Sequence, residues 1–324
     1  CSRSESPPLI SDMTTSIFVL GEALMDCIAQ PDGQLRPLMG GSPYNLARAT
    51  ALRGASVTYL NPLSTDNFGQ QLRSQLVADG VQLLAQASHK PTSLAVVQVK
   101  DGQPSYGFYR EGIADRDYSV DSVLAQLKNA APGILHTGSL ALVPPEHEKV
   151  LAIVQGAKAL GWTVSVDINL RPKLAGHLAD YVAAVRSVMA WADWIKASDE
   201  DLETLGFEGI AIGESSRLVR ELRASAAPVA LSRIALTFGG DGAFLQVGSA
   251  SAQSPATVAA VLKHAFPSPH DLPPERIHLV TVPPRGGPKN LLWKRFSVVA
   301  NSCSSAPRDI RTSRSRASID RKST

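Results

Sequence analysis

The sequence predicts an α/β protein with a mostly parallel central sheet covered by helices on both faces. Two observations carry that prediction. From about Gly133 onward, short apolar runs alternate with longer segments of helical apolar spacing, the rhythm of βαβ units. The 324-residue, 34.4 kDa chain is also long enough for one large domain of this kind, and its 44% hydrophobic, 19% charged composition with mean hydropathy -0.01 is that of a globular protein. These values exclude a disordered chain, a collagen-like repeat and a disulfide mini-protein. No apolar run approaches the roughly 20 residues of a membrane helix.

Ser16–Gly21 reads as a buried first strand ending in glycine. Asp26–Gln30 and Leu35–Leu38 flank the turn signal Pro31-Asp32-Gly33, which predicts a hairpin or small β-lid. Pro43–Arg53 has helical spacing, with Ser42 as N-cap and Pro43 at the first helical position. There follow a strand at Val57–Leu60, a helix at Phe68–Ala78, and strands near Val81–Ala85, Leu94–Val99 and Ser105–Tyr109. The alternating part then gives strands at Gly133–His136, Thr163–Val166, Trp194–Lys196, Ile234–Thr237 and Ala243–Val247. Its helices are Glu146–Leu160, Leu178–Ala190, Asp199–Leu205 and Glu214–Ala224.

The pattern stops near Val261. Pro255–Pro288 holds eight prolines in 34 residues, which rules out a long helix, and Asn301–Thr324 is rich in Ser and Arg with almost nothing apolar. Charge divides at the same place. From Pro255 there are 12 Lys/Arg against 4 Asp/Glu, and before it 20 against 25. A basic tail can be a nucleic-acid arm, but no binding module accompanies it, so nucleic acid is not expected as a partner. The three cysteines, Cys1, Cys27 and Cys303, are odd in number and widely spaced. Neither a disulfide framework nor a zinc site is expected, and a reducing cytoplasm is the expected location. Met13 reads as the natural start and residues 1–12 as an extension, a lipid-modified Cys1 being the alternative.

Four stretches carry chemistry. Gly40-Gly41-Ser42-Pro43-Tyr44-Asn45 places two glycines before a helix start, where backbone N–H groups can approach an anion or a hydroxyl-rich ligand, or form an ordinary turn and cap. Asp26 follows the first strand, at a sheet edge where ligands bind in such folds, or is a turn residue. Asp167, Asn169 and Arg171 follow the strand Thr163–Val166 at alternate positions and project one way if the chain stays extended. Thr237-Phe238-Gly239-Gly240-Asp241-Gly242 is a phosphate cradle or a plain hairpin turn. The P-loop, Gly-x-Gly-x-x-Gly, His-Glu-x-x-His and Gly-x-Ser-x-Gly patterns are all missing.

Together these pieces resemble the ribokinase-like sugar kinases of the phosphofructokinase-B family, in particular its bacterial fructokinase branch. The resemblance covers about residues 16–256. It rests on Gly40 to Ala47 (Gly-Gly-x-x-x-Asn-x-Ala), Asp167–Arg171, Thr237–Gly242, a loose match at Asp66–Gly69, and Phe108–Arg116, which is similar to the fructokinase lid strand. It implies an α/β/α sandwich with a small β-lid from about residues 26–40 and 92–110, within a domain over residues 13–256, and an incomplete C-terminal part. It further implies phosphorylation of a sugar hydroxyl, fructose above all, with ATP and Mg²⁺. Asp26, Gly40, Gly41, Asn45, Asp167, Asn169 and Arg171 would face the sugar, with Tyr109 and Arg110 reaching in from the lid. Lys196, Ser198, Asp201, Thr237, Gly239 and Gly242 would serve the nucleotide. Asp201, standing where the family has Glu, would act on the metal through water. A homodimer through the lid is implied as well. The family's second signature, Asp-Thr-x-Gly-Ala-Gly-Asp, carries the catalytic base and does not occur in Ala243–Thr324. A shifted reading frame or a splice over residues 257–324, with a disordered tail, is the expected reason. A natural non-catalytic sugar binder is the alternative.

Overall fold

In the computed structural model, residues 15–30, 32–100, 103–225, 231–254, 277–280 and 297–300 are described. The expectations for residues 1–12 and for a disordered tail over 257–324 lie outside them, save for two short antiparallel strands at Ile277–Val280 and Ser297–Ala300.

The expected sandwich and lid are both present. The chain runs β1 (Ile17–Val19), β2 (Leu24–Ala29), β3 (Leu35–Gly40), α1 (Ser42–Ala51), β4 (Val57–Tyr59), α2 (Asn67–Ala78), β5 (Gln82–Leu83), β6 (Ser93–Lys100) and β7 (Gln103–Tyr109). It continues α3 (Val120–Lys128), β8 (Ile134–Gly138), α4 (Glu146–Ala159), β9 (Thr163–Asp167), α5 (Leu178–Met189), β10 (Trp194–Ser198), α6 (Asp199–Thr204), α7 (Ser215–Ser225), β11 (Arg233–Thr237), β12 (Ala243–Val247) and β13 (Ala250–Ser254). The main sheet has nine strands in the order β13-β12-β11-β10-β9-β8-β1-β4-β5, and β12 alone among them runs against the rest. The lid is a separate four-stranded sheet, β3-β2-β6-β7.

Alternation along β1 distributes the core to the two faces. Phe18 and Leu20 enter a large cluster with α3 to α7, whereas Ile17 and Val19 enter a smaller one with α1 and α2. Trp162 is buried against the Phe18 ring, edge to face at 4.8 Å between centroids. Burying one such side chain stabilises the fold by about 1.5–3 kcal/mol.

Helix starts follow capping chemistry. The Asp66 carboxylate accepts the Gly69 N–H at 2.7 Å to open α2, and Ser119 with Ser122 form a capping box on α3. That helix was not anticipated. It is only nine residues long, and its box uses Ser rather than Glu or Gln at the third position. Strand β13 was not anticipated either, because Ala-Ser-Ala-Gln-Ser has no apolar alternation and is ordered by pairing with β12.

Candidate active site

Because β1, β8, β9, β10 and β11 are parallel, their C-terminal ends lie along one sheet edge, from which the Asp167–Arg171 and Thr237–Gly242 stretches leave. Asp26, expected at that edge just past the first strand, lies instead within the lid strand β2. The β2–β3 hairpin delivers Asp26 opposite Leu38, two residues from Gly40. The Asp26 carboxylate lies so close over the Gly40 α-carbon that a Cβ there would collide with it. Gly41, at φ +110°, is the N-cap of α1, and a Cβ on it would strike the Glu22 carbonyl.

Gly41 has no side chain to cap α1, and the Glu22 carboxylate does so from across the fold, with Asp167 holding the neighbouring Ser42 side chain. Glu22 Oε1 accepts the Ser42 N–H at 3.1 Å, and Asp167 Oδ2 accepts from the Ser42 hydroxyl at 3.4 Å. Both acids are buried at the positive end of the helix dipole. Asn45 stands in the first turn of α1, half-buried, its side chain free of hydrogen bonds among the described residues. Burial raises the Glu22 pKa against the opposing pull of Arg110 and of the Ser42 N–H.

Asp167 and Lys196 are partners across β9 and β10, with Nζ 2.9 Å from Oδ1, Asp167 buried and Lys196 nearly so. Burial works against the Lys196 ammonium, but Asp167 and Asp201 outweigh it and raise its pKa, so it stays protonated. Lys196, expected with the nucleotide, therefore belongs structurally to the wall that holds Asp167.

The extended course expected for Asp167–Arg171 is not observed. Asn169 has φ +37°, and its Nδ2 donates at 3.0 Å to Ser139 Oγ, itself at φ +57°. These are the two non-glycine residues of positive φ among those described, and they hold each other. The three side chains diverge as a result. Asp167 turns to Lys196 and Asn169 to Ser139. Arg171 folds back so that its NH1 donates to the Leu170 carbonyl at 2.8 Å and the Asn169 carbonyl at 3.3 Å.

Further along the edge, Ser198 caps α6, and Asp201 closes the capping box. The two Asp201 oxygens accept the Leu170 and Ser198 N–H groups, each at 2.7 Å. Asp201 is thus a buried tie between the ends of β9 and β10. Thr237, buried, pairs with Ser198, and the glycine stretch is a hairpin turn of 3₁₀ form at Gly239–Asp241. Gly239 has φ +50°, and nothing lies within 4 Å of where a Gly240 Cβ would stand. Tyr109 is 65% exposed at the end of the lid. Arg110 turns into the body, its NH1 donating to the Leu140 carbonyl at 3.2 Å and its NH2 3.6 Å from Asp115. Glu22 and Ser139 were not anticipated as site residues. The one local signal was an acid directly after Gly21, two residues past the end of β1.

No group of three or more His, Cys, Asp or Glu is placed to hold a metal ion among the described residues, and no helix there is long and apolar enough to cross a membrane.

The chain was compared with known proteins. Residues 14–261 match the model of the pfkB family of carbohydrate kinases. A fructokinase of Rhizobium leguminosarum bv. trifolii is 28% identical over 198 residues, 60% of this chain and 60% of that one. A fructokinase of Salmonella typhimurium is 30% identical over 195 residues, 59% of this chain and 62% of that one. The chain thus spans about three fifths of these relatives' length. Among solved structures, a fructokinase with bound ATP from Xylella fastidiosa superposes with a TM-score of 0.62 at 26% identity, covering 75% of this chain and 78% of that one. An aminoimidazole riboside kinase from Salmonella enterica shares the fold, with a TM-score of 0.58 at 23% identity over 76% of this chain and 78% of that one.

Proposed function

The chain belongs to the pfkB family of carbohydrate kinases, and on that premise we propose that its strand-end edge binds a sugar, fructose in the first place, for phosphorylation by ATP. The observation that supports this most is that the Gly40–Asn45 helix start meets both Asp26 of the lid and Asp167 of the sheet edge. Asp26 and Asn45 would exchange hydrogen bonds with sugar hydroxyls, and the N–H groups opening α1 would add donors. Arg171 would bring a guanidinium to the rim of the same pocket.

ATP fits the β11–β12 hairpin, where the glycine turn leaves room for a phosphate beside the backbone. When bound, the nucleotide supplies the phosphoryl group. Asp201 does not fit a magnesium role, because both of its oxygens accept buried backbone N–H groups.

Transfer to a hydroxyl needs a base. With Asp-Thr-x-Gly-Ala-Gly-Asp missing from the sequence, turnover would be slowed by about 10²–10⁴-fold from that loss alone. The second reading, a non-catalytic sugar binder, is favoured by the same gap. Coupled ATP turnover with fructose, ribose and 2-keto-3-deoxygluconate, beside calorimetric titration of each sugar, separates the two. Binding with slow turnover is the expected result, binding with none gives the second reading, and binding of no sugar sinks both. The coding sequence read in three frames beyond codon 250 tests the shifted frame. A homodimer through the lid is part of the same reading. Leu35 and Tyr109, 50% and 65% exposed on the lid, supply apolar area for it, and sedimentation of the purified chain tests it.

A further inference from the structure

The chain crosses between body and lid four times: outward from β1 through Gly21 into β2, back at Gly41 into α1, outward at Thr92 into β6, and back through Arg110 and Ala114 after β7. Three of these crossings are held from one short loop, residues 61–66, which follows β4. Its first residue, Asn61, is 4% exposed and uses both ends of its side-chain amide. Oδ1 accepts the Gly21 N–H at 2.7 Å, and Nδ2 donates to the Asp115 carbonyl at 2.8 Å. One amide thus spans the first outward crossing and the last return. At the other end of the loop, Asp66 accepts from the Thr92 N–H at 2.8 Å and the Thr92 hydroxyl at 2.7 Å. The Ala114 N–H donates to the Pro91 carbonyl at 2.9 Å, so the return segment and the second outward crossing are themselves joined.

Gly21 carries the hold of Asn61 to the candidate site. The Tyr59 hydroxyl donates to the Gly21 carbonyl at 2.5 Å, and a Cβ on Gly21 would strike Pro43 in the first turn of α1. The next residue, Glu22, accepts the Ser42 N–H that opens the same helix. The return segment is fixed as firmly. Asp115 is buried with its carboxylate 3.6 Å from Arg110 NH2, and Arg110 NH1 donates to the Leu140 carbonyl.

We propose that Asn61 is a positioning residue that pins the lid's outward and return strands to one point of the body and, through Gly21, sets the lid against the Gly40–Asn45 helix start. Asparagine meets both demands at once. A carboxylate of the same shape has no proton to give the Asp115 carbonyl, and a serine hydroxyl is too short to serve both partners. The part that concerns sugar rests on the function proposed above; the pinning itself does not.

In the full chain, Asn61→Ala loses both bonds. It is expected to speed hydrogen exchange of the lid amides in β2, β3, β6 and β7 about ten-fold more than that of the body strands β8, β9 and β10. Asn61→Ser, a smaller change, should show the same bias at about three-fold, and it carries the comparison if the alanine variant does not fold. Equal acceleration in lid and body marks a residue that only supports the fold, and no acceleration marks one that pins nothing; either result overturns the proposal. By calorimetry, fructose should bind the variant about five-fold more weakly while ATP affinity stays within about two-fold. Equal loss of both ligands overturns the positioning role. Should the parent bind no fructose, the sugar reading fails by itself, while lid exchange still decides the role of Asn61.

Discussion

The two ends of the candidate site are built by opposite means. At the β1–β8–β9 end, buried or nearly buried groups are tied in pairs: Ser42 to Glu22 and to Asp167, Asp167 to Lys196, and Asn169 to Ser139. At the β11 end, a short glycine turn closed by backbone bonds between Phe238 and Gly242 carries Gly240 in open space. The first end is preorganised, so its groups lose little freedom when a ligand arrives. It is also intolerant, since each member leaves a partner stranded when changed. The second is tolerant and contributes backbone rather than side chains.

The sharpest way to break this comparison is Lys196→Met. Removing the cation leaves Asp167 as a buried charge without its partner, which should cost about 3–5 kcal/mol in urea unfolding. A loss below about 1 kcal/mol would mean that the Asp167 end is no more committed than the glycine turn.

A change of pH probes the same buried wall. His136 lies in β8, its Nδ1 3.0 Å from Ser165 Oγ, and burial, helped by the Lys196 charge, pulls its pKa from 6.5 to about 4. Between those values the unfolded chain binds a proton that the folded chain refuses. The contribution of His136 is therefore complete above pH 6.5 and shrinks as the pH falls toward 4, by up to about 3 kcal/mol. Denaturation across that range should show this slope, and His136→Phe should flatten it. A slope unchanged by the substitution assigns the effect to other groups.

Smaller effects should come from the side chains proposed to meet the sugar. Asn45→Ala and Asp26→Ala should each weaken fructose binding by about 1 kcal/mol, roughly five-fold, with the thermal midpoint preserved. Unchanged affinity in both would remove them from the site. The smallest effect belongs to the opposite end. Gly240→Ala meets no atom within 4 Å and should shift stability by less than about 0.5 kcal/mol. A loss comparable with that of Lys196→Met would erase the contrast.

How far the sequence discloses this site depends on whether a residue acts on its chain neighbours or across the fold. Strand and helix alternation is local, and most elements lie within a few residues of where periodicity puts them. The α1 start is local too, since two glycines, a serine and a proline announce it. The turn of Asn169 is not, because the hydroxyl that holds it comes from Ser139, thirty residues earlier. Lys196 was grouped with the nucleotide residues that follow it in sequence, whereas register places it beside Asp167. Glu22 was passed over because the backbone N–H it accepts belongs to Ser42, 20 positions away.

The order of strands across the sheet has a consequence for synthesis. From β8 to β11 each new strand is laid beside the one before it, so position along the edge follows position in the chain. A chain emerging N-terminus first completes the lid, α1 and the Asp167 wall before the glycine turn exists. The β9 end of the proposed site can thus be shaped on the ribosome while the β11 end is still unmade. A nascent chain halted shortly after Ser225 would already hold Asp26, Asn45, Asp167 and Lys196.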